Sequence, residues 1–241
     1  MKIFFISLIS ILSFLSEAQV VPYISKLPGD YSYQYALIEA SRQKMIGNVN
    51  ESIKLYQACI KTNPDCDVAY YELGTVYSAI GENTKSEENL LKAYKLNPSN
   101  YWYGIAYSEL LKINDKPEKS LKVLKKIKKI NRNNSLTIDF KIAELYSGNK
   151  NFNKAYKVLD KMEKERGISE LISFKKYEIL KLQRKFNKAE HVLKNLIESS
   201  PDIAEYHILL AEFYSEIGDS VMAMNAYENA FAIDSTNIFA I

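Results

Sequence analysis

The stretch AYYELGTVYSAIG, residues 69–81, sets Tyr70, Leu73, Gly74 and Tyr77 at intervals of three, one and three residues and stops on Gly81. That spacing is one face of an α-helix. A glycine within the face costs about 1 kcal/mol of helix stability relative to alanine and buries almost nothing. Gly74 is therefore informative if the same arrangement returns at a fixed distance.

It does return. Thirty-four residues on from Tyr70, Leu73, Gly74 and Tyr77 stand Gly104, Tyr107, Ser108 and Leu111, and thirty-four back stand Ala36, Glu39, Ala40 and Gln43. Second halves keep the step: Ser52, Tyr56 and Cys59 become Ser86, Leu90 and Ala93, then Ser120, Leu124 and Ile127. Pro64 becomes Pro98. After one inserted residue, Ser135, the series continues through Ile142, Ala143, Tyr146, Ala155, Leu159 and Met162. Leu180, Ala189, Leu193, Leu196 and Pro201 follow, then Leu210, Ala211, Tyr214, Ala223, Tyr227 and Ala230.

Six units result: 33–66, 67–100, 101–134, 136–169, 170–203 and 204–237. Each holds two apolar-periodic runs around a break, with Gly47, Gly81, Gly148 and Gly218 expected to turn the chain and Gly167 to end a helix. Each unit thus reads as an antiparallel helix pair. Gly74, Ala40, Ala143 and Ala211 are expected where the two helices come closest, facing the small residues Ser52, Ser86, Ser120, Ala155, Ala189 and Ala223. Two units depart from the pattern. The third has Arg132 in place of the closing proline; the fifth has Tyr177 where a small residue is expected and Lys176 where a leucine is. The latter suggests a rotated first helix or a register shift of one.

A 34-residue helical pair with this pattern resembles the tetratricopeptide repeat (TPR). The resemblance covers the chain after about residue 32. It implies an all-α fold, a right-handed α-solenoid of stacked antiparallel helix pairs whose concave face is lined by the first helix of each pair.

Composition agrees with a globular protein: of 241 residues, 47% are hydrophobic and 25% charged, and six prolines and eight glycines are few for an all-β chain. The net charge of +3 names no partner. Residues 1–18 read as a secretory signal peptide: Lys2, an apolar run from Ile3 to Leu15, and Ser16-Glu17-Ala18 before Gln19. The run is short of the ~20 residues a membrane-spanning helix needs. Residues 19–32 carry Pro22, Pro28 and Gly29 and read as an extended leader. Residues 238–241 read as the start of a further helix, so the expectation is a fragment of a longer protein, with Ala226 and Phe231 near an otherwise exposed face. Cys59 and Cys66 are too few for a disulfide framework; one bridge is possible, and Cys59 falls where a helix face wants a small buried residue.

No catalytic constellation appears. His191 and His207 lie on different helices with no metal-ligand or nucleophile spacing, and every glycine has a turn, packing or leader role, leaving none for a phosphate loop. No enzyme, cofactor or metal is expected. The basic run 116–132 places Leu121, Leu124 and Ile127 inward, with Val123 and Ile130 flanking them and lysines outside. It reads as a solvated face, or else as a contact for an anionic membrane or acidic partner.

On the implied concave face two ladders stand out. One is large and apolar: Leu37, Tyr71, Ile105, Phe140, Phe174 and Ile208, with Trp102 nearby. The other is acidic: Glu109, Glu144, Glu178 and Glu212. The asparagine-rich clamp with which some TPR proteins hold a C-terminal carboxylate is unmatched, since Ser41, Thr75 and then glutamates stand in its place. The expected partner is a protein segment with apolar anchors separated by Lys or Arg. The signal peptide, a high Lys, Asn, Ile and Tyr content and the long array resemble exported envelope TPR proteins of Bacteroidetes-type bacteria, which places the expectation at the periplasm or outer-membrane periphery. The alternative is the recruiting part of a longer enzyme or sensor whose catalytic domain follows residue 241. A pentatricopeptide-like segment, LDKMEKERGI at 159–168, raises RNA binding, against which the 34-residue step, the signal peptide and the acidic ladder argue.

Overall fold

The computed structural model describes residues 29–235, with side chains from Tyr33 onward. The signal-peptide segment, residues 19–28 of the leader and the terminal 238–241 lie outside the described residues. The described part is all-α, with no strand, and divides into two compact units between Asn131 and Arg132.

The first unit holds three helix pairs: α1 (Gly29–Met45) with α2 (Val49–Thr62), α3 (Asp67–Ala79) with α4 (Asn83–Leu96), and α5 (Tyr101–Ile113) with α6 (Pro117–Ile130). The second holds three more, after a 3-10 turn at Arg132–Asn134: α7 (Ser135–Gly148) with α8 (Phe152–Arg166), α9 (Glu170–Leu182) with α10 (Phe186–Ser199), and α11 (Ala204–Glu216) with α12 (Ser220–Ile233). Helix α1 begins at Gly29, so the last four residues of the expected leader are helical.

Every intra-pair turn is built alike. The left-handed residues are Gly47, Gly81, Asp115, Lys150, Arg184 and Gly218, which keep the repeat spacing. In the second turn, Gly81 N–H donates to Ser78 O at 3.1 Å and Glu82 N–H to Tyr77 O at 2.9 Å. The fourth turn repeats this, with Lys150 N–H to Ser147 O at 2.9 Å and Asn151 N–H to Tyr146 O at 2.8 Å. These are paired C-terminal caps that satisfy the last carbonyls of the helix. Gly148 is thus not the turning residue of its unit: it is the last residue of α7, and the positive φ falls on Lys150. Gly167 does end α8, with φ 89°.

Within pairs, small residues let the backbones approach. Ser86 Oγ, on α4, donates to the carbonyl of Gly74 on α3 at 2.8 Å, and Ser120 Oγ repeats the bond to Ser108 O at 2.8 Å. A Cβ on Gly74 would lie 2.7 Å from Leu90 Cγ. Ala40, Ala155, Ala189 and Ala211 are fully buried, and Ala143 and Ala223 nearly so. In α6, Ser120, Val123, Leu124 and Ile127 are buried while Leu121 is only half-buried, so Val123 rather than Leu121 belongs to the inward face. In α12, Ala226 is buried and Phe231 is 44% exposed, so of that expected pair Phe231 alone is open.

The irregular fifth repeat keeps its register. Lys176 is buried, its Nζ 2.6 Å from Glu163 Oε2, 3.2 Å from Asp160 Oδ1 and 5.0 Å from the Tyr156 ring centroid. An ammonium bound by two carboxylates and an aromatic face can occupy a leucine's place because each partner offsets its desolvation. Tyr177 fills the expected small-residue position, edge-on to Phe213 at 6.1 Å.

Candidate functional site

In the second unit, α7, α9 and α11 run side by side and enclose a groove of about 610 Å³. Its apolar lining comes from Phe140 and Ala143 of α7, Phe174, Tyr177 and Leu182 of α9, and Leu209 of α11, with Leu159 of α8 beneath. Phe174 is 38% exposed and its ring lies 6.3 Å from that of Tyr177. These helices present one apolar stripe to the core and a second to the groove, which is why their sequences are apolar on more than one side.

Four carboxylates stand around this lining: Glu144, Glu178, Glu212 and Glu216, together with Lys175 and Lys181. Lys175 pairs with Glu178 at 3.3 Å, and Lys181 pairs with Glu216 while its Nζ lies 5.2 Å from the Tyr177 ring centroid. Glu144 and Glu212 have no ion-pair or hydrogen-bond partner among the described residues and are exposed. The groove therefore keeps two uncompensated negative charges beside an apolar lining. Burial pushes the Tyr177 phenol up, with the Lys181 hydrogen bond opposing it, so this ring presents a neutral surface at physiological pH. Burial works to lower the Lys181 ammonium, but the bonds from Glu216 and Tyr177 outweigh it, so the pKa is raised and the charge stays on.

Of the residues singled out by sequence, Phe140, Glu144, Phe174, Glu178 and Glu212 are brought together in this groove. Ile208 is not: it is 9% exposed and packs with Ala204 and Ala230 between α11 and α12, and its neighbour Leu209 lines the groove instead. Tyr177 and Leu182 also belong to the lining, and neither was expected. Tyr177 signals itself as the large residue that breaks the small-residue series; Leu182 carries no such signal.

In the first unit the corresponding residues are largely committed to packing. Tyr71 stacks on Tyr103 with ring centroids 4.8 Å apart, and burial pushes the Tyr103 phenol up to about 12. Ile105 is half-buried, and Leu37 packs against the cluster formed by α1, α2 and α3. Trp102 is 65% exposed at the start of α5, edge-on to Tyr101. Glu109 lies 3.9 Å from Lys112. His191 is exposed, and His207 has its Nε2 3.3 Å from Pro201 O. Among the described residues no helix is long and apolar enough to cross a membrane.

Comparison with known proteins agrees with this architecture. A family model for the tetratricopeptide repeat matches residues 68–100 and 204–237. Anaphase-promoting complex subunit 3 of Schizosaccharomyces pombe is 29% identical over 188 residues, which cover 77% of this chain and 28% of that protein. This chain thus spans little more than a quarter of that relative's length. Among solved structures, a tetratricopeptide repeat protein from Parabacteroides merdae superimposes with a TM-score of 0.57 at 13% identity, over 93% of this chain and 88% of its own. PilF of Pseudomonas aeruginosa superimposes with a TM-score of 0.56 at 12% identity, over 88% of this chain and 96% of its own. At such identities the likeness is one of fold.

Proposed function

We propose that this all-α chain, which carries tetratricopeptide repeats, is an exported and non-catalytic scaffold that holds a segment of another protein in the groove formed by α7, α9 and α11. One observation carries the reading: apolar surface from Phe140, Phe174, Tyr177 and Leu209 meets two unpaired carboxylates, Glu144 and Glu212, in a single 610 Å³ concavity. An apolar anchor seated there loses water contact on most sides, which supplies affinity. Lys or Arg beside the anchor meets the unpaired charges, which supplies orientation and rate of encounter. Acidic or phosphorylated segments are disfavoured by the same charges. The leader-like sequence of residues 1–18 supports export, and the envelope periphery is where we place the protein's work.

A displayed library of random peptides, selected against the full chain, tests this. Enriched peptides should share a large apolar residue with Lys or Arg near it. Phe140→Ala and Phe174→Ala should each weaken binding about tenfold or more, as for a buried anchor pocket. Glu144→Gln with Glu212→Gln should slow association several-fold and flatten its salt dependence. Enrichment of acidic peptides, or binding indifferent to both phenylalanine changes, would sink the reading.

A further inference from the structure

The junction between the first two helix pairs holds a feature that the groove does not use. Cys59 lies in the last turn of α2 and Cys66 caps the start of α3. Seven residues apart in sequence, they face each other with the Cys59 thiol donating to the Cys66 sulfur at 3.7 Å. Both are free and buried, Cys59 completely and Cys66 with 8% exposure. The turn is held by backbone bonds and not by the sulfurs: Asn63 N–H donates to Cys59 O at 2.8 Å and Cys66 N–H to Asn63 O at 3.1 Å. Either cysteine alone reads as a small apolar core residue. Two sulfurs brought into contact by a rigid turn, in a cluster with Ala36, Ala40, Leu55 and Leu73, are a different matter.

We propose that Cys59 and Cys66 form an oxidative modification site, closing to an intramolecular disulfide that clamps α2 to α3. The oxidant is a molecule that itself carries a disulfide, either a small one or a protein. The Cys66 thiol, the more exposed of the two, loses its proton, and its thiolate attacks one sulfur of the oxidant. The oxidant's sulfur–sulfur bond breaks and its other sulfur leaves as a thiolate that takes up a proton. Cys59 then loses its proton and attacks the Cys66 sulfur of the mixed disulfide, expelling the second oxidant sulfur, which is protonated in turn. Two protein thiols are oxidised by two electrons and one disulfide is reduced to two thiols.

The site has a built-in timing. Burial, with the neighbouring sulfur adding to it, pushes the Cys59 thiol up to about 12. At pH 8 the thiolate is then scarce compared with an ordinary cysteine of pKa ~8.5, and greater intrinsic nucleophilicity recovers only part of the deficit. Burial of both sulfurs also keeps the oxidant from reaching them, so closure in the folded protein should be slower than in the unfolded chain. The bond forms readily while the chain folds and slowly once it has folded.

The test uses the full reduced chain, oxidised glutathione at pH 8, and mass measurement after alkylation of remaining thiols. Samples are taken from the folded protein, from the chain in denaturant, and from a refolding reaction. Expected is a product lighter by two hydrogens that takes up no alkylating agent, formed more slowly in the folded sample than in denaturant or during refolding. Its thermal unfolding should lie about 5 °C or more above that of the reduced chain, as for a short loop closed without strain. Cys66→Ser should leave Cys59 unmodified in the folded state, where its sulfur is buried with no partner to relay the exchange. The proposal is overturned if refolding with oxidant yields only free thiols or two glutathione adducts. It is overturned equally if the closed form melts no higher than the reduced one.

Discussion

Gly74→Ala measures the close approach of α3 and α4 directly. An alanine Cβ there would sit 2.7 Å from Leu90 Cγ, 2.9 Å from its Cδ2 and 3.1 Å from its backbone nitrogen. Carbon contacts are most favourable at about 3.5–4.0 Å, so the overlap approaches 1 Å. Because a backbone atom is among the neighbours, α4 itself must move, and the overpacking cost falls at the upper end of about 1–3 kcal/mol. Against it stand about 1 kcal/mol of helix propensity and about 0.8 kcal/mol for one buried methyl. The net expectation is a loss of about 1 kcal/mol. Gly104→Ala meets the same obstacle in Ile127 Cγ2, on a fully buried, β-branched side chain. Gly148→Ala is the internal control: nothing lies within 4 Å of its Cβ and it ends α7, so it should gain a part of the ~1 kcal/mol that propensity gives in a helix interior. Urea unfolding followed by circular dichroism reads these as midpoint shifts of about 0.5 M per kcal/mol, for a slope near 2 kcal/mol/M. In a Leu90→Ala background, which removes the two closest atoms and leaves the backbone nitrogen at 3.1 Å, Gly74→Ala should cost clearly less, a coupling of about 1 kcal/mol. A Gly74→Ala protein as stable as its parent, or one whose loss is undiminished in the Leu90→Ala background, would refute the packing argument.

Lys150→Gly and Arg184→Gly should each stabilise the second unit. Left-handed backbone costs an L residue about 1–2 kcal/mol, of which the unfolded-state entropy of glycine returns about 0.4–1, leaving a net gain of about 0.5–1 kcal/mol visible as a higher melting temperature. Asn100 caps α5, its side chain accepting from Trp102 N–H at 3.0 Å and Tyr103 N–H at 3.4 Å, so Asn100→Ala should lower stability by about 1 kcal/mol in the same urea assay. The Lys164 hydrogen bond, with Lys176 adding to it against the effect of burial, holds the Asp160 carboxyl below the ordinary range. A depressed folded pKa contributes stability that is full above about 3.9 and lost as pH falls through the folded value, so Asp160→Asn should flatten the acid limb of the urea midpoint between about pH 2 and 5. For Lys176 the sign is opposite. Burial works to lower its pKa, but the Glu163 bond and its companions outweigh that, so its contribution is full below about 10.4 and lost as pH rises through the folded value. Lys176→Met should therefore remove part of the alkaline loss.

The periodicity around Gly74 was sufficient to define twelve helices, because helix pairs of fixed length repeat their small contacts at fixed spacing. Local chemistry also marked Gly47, Gly81, Gly167 and Gly218, where positive φ selects glycine. The other left-handed turns escaped notice because Asp115, Lys150 and Arg184 adopt the same backbone without announcing it; the cap bonds around them, not their side chains, hold the conformation. The buried Lys176 looked like a register error for a comparable reason. Its partners, Asp160 and Glu163, sit a helix away and unremarkable in sequence. The candidate site was half legible: Phe140, Glu144, Phe174, Glu178 and Glu212 follow the repeat, whereas Ile208 and Leu209 exchange roles through the exact rotation of α11. Sequence by itself determined the repeat, the helix pairing and the small-residue contacts, since these depend on neighbours a fixed number of residues away. Only the tertiary structure decided which glutamates are left without an ion-pair partner, which aromatics are consumed in packing and which two sulfurs meet. Those depend on side chains converging from helices that the chain order does not rank by distance.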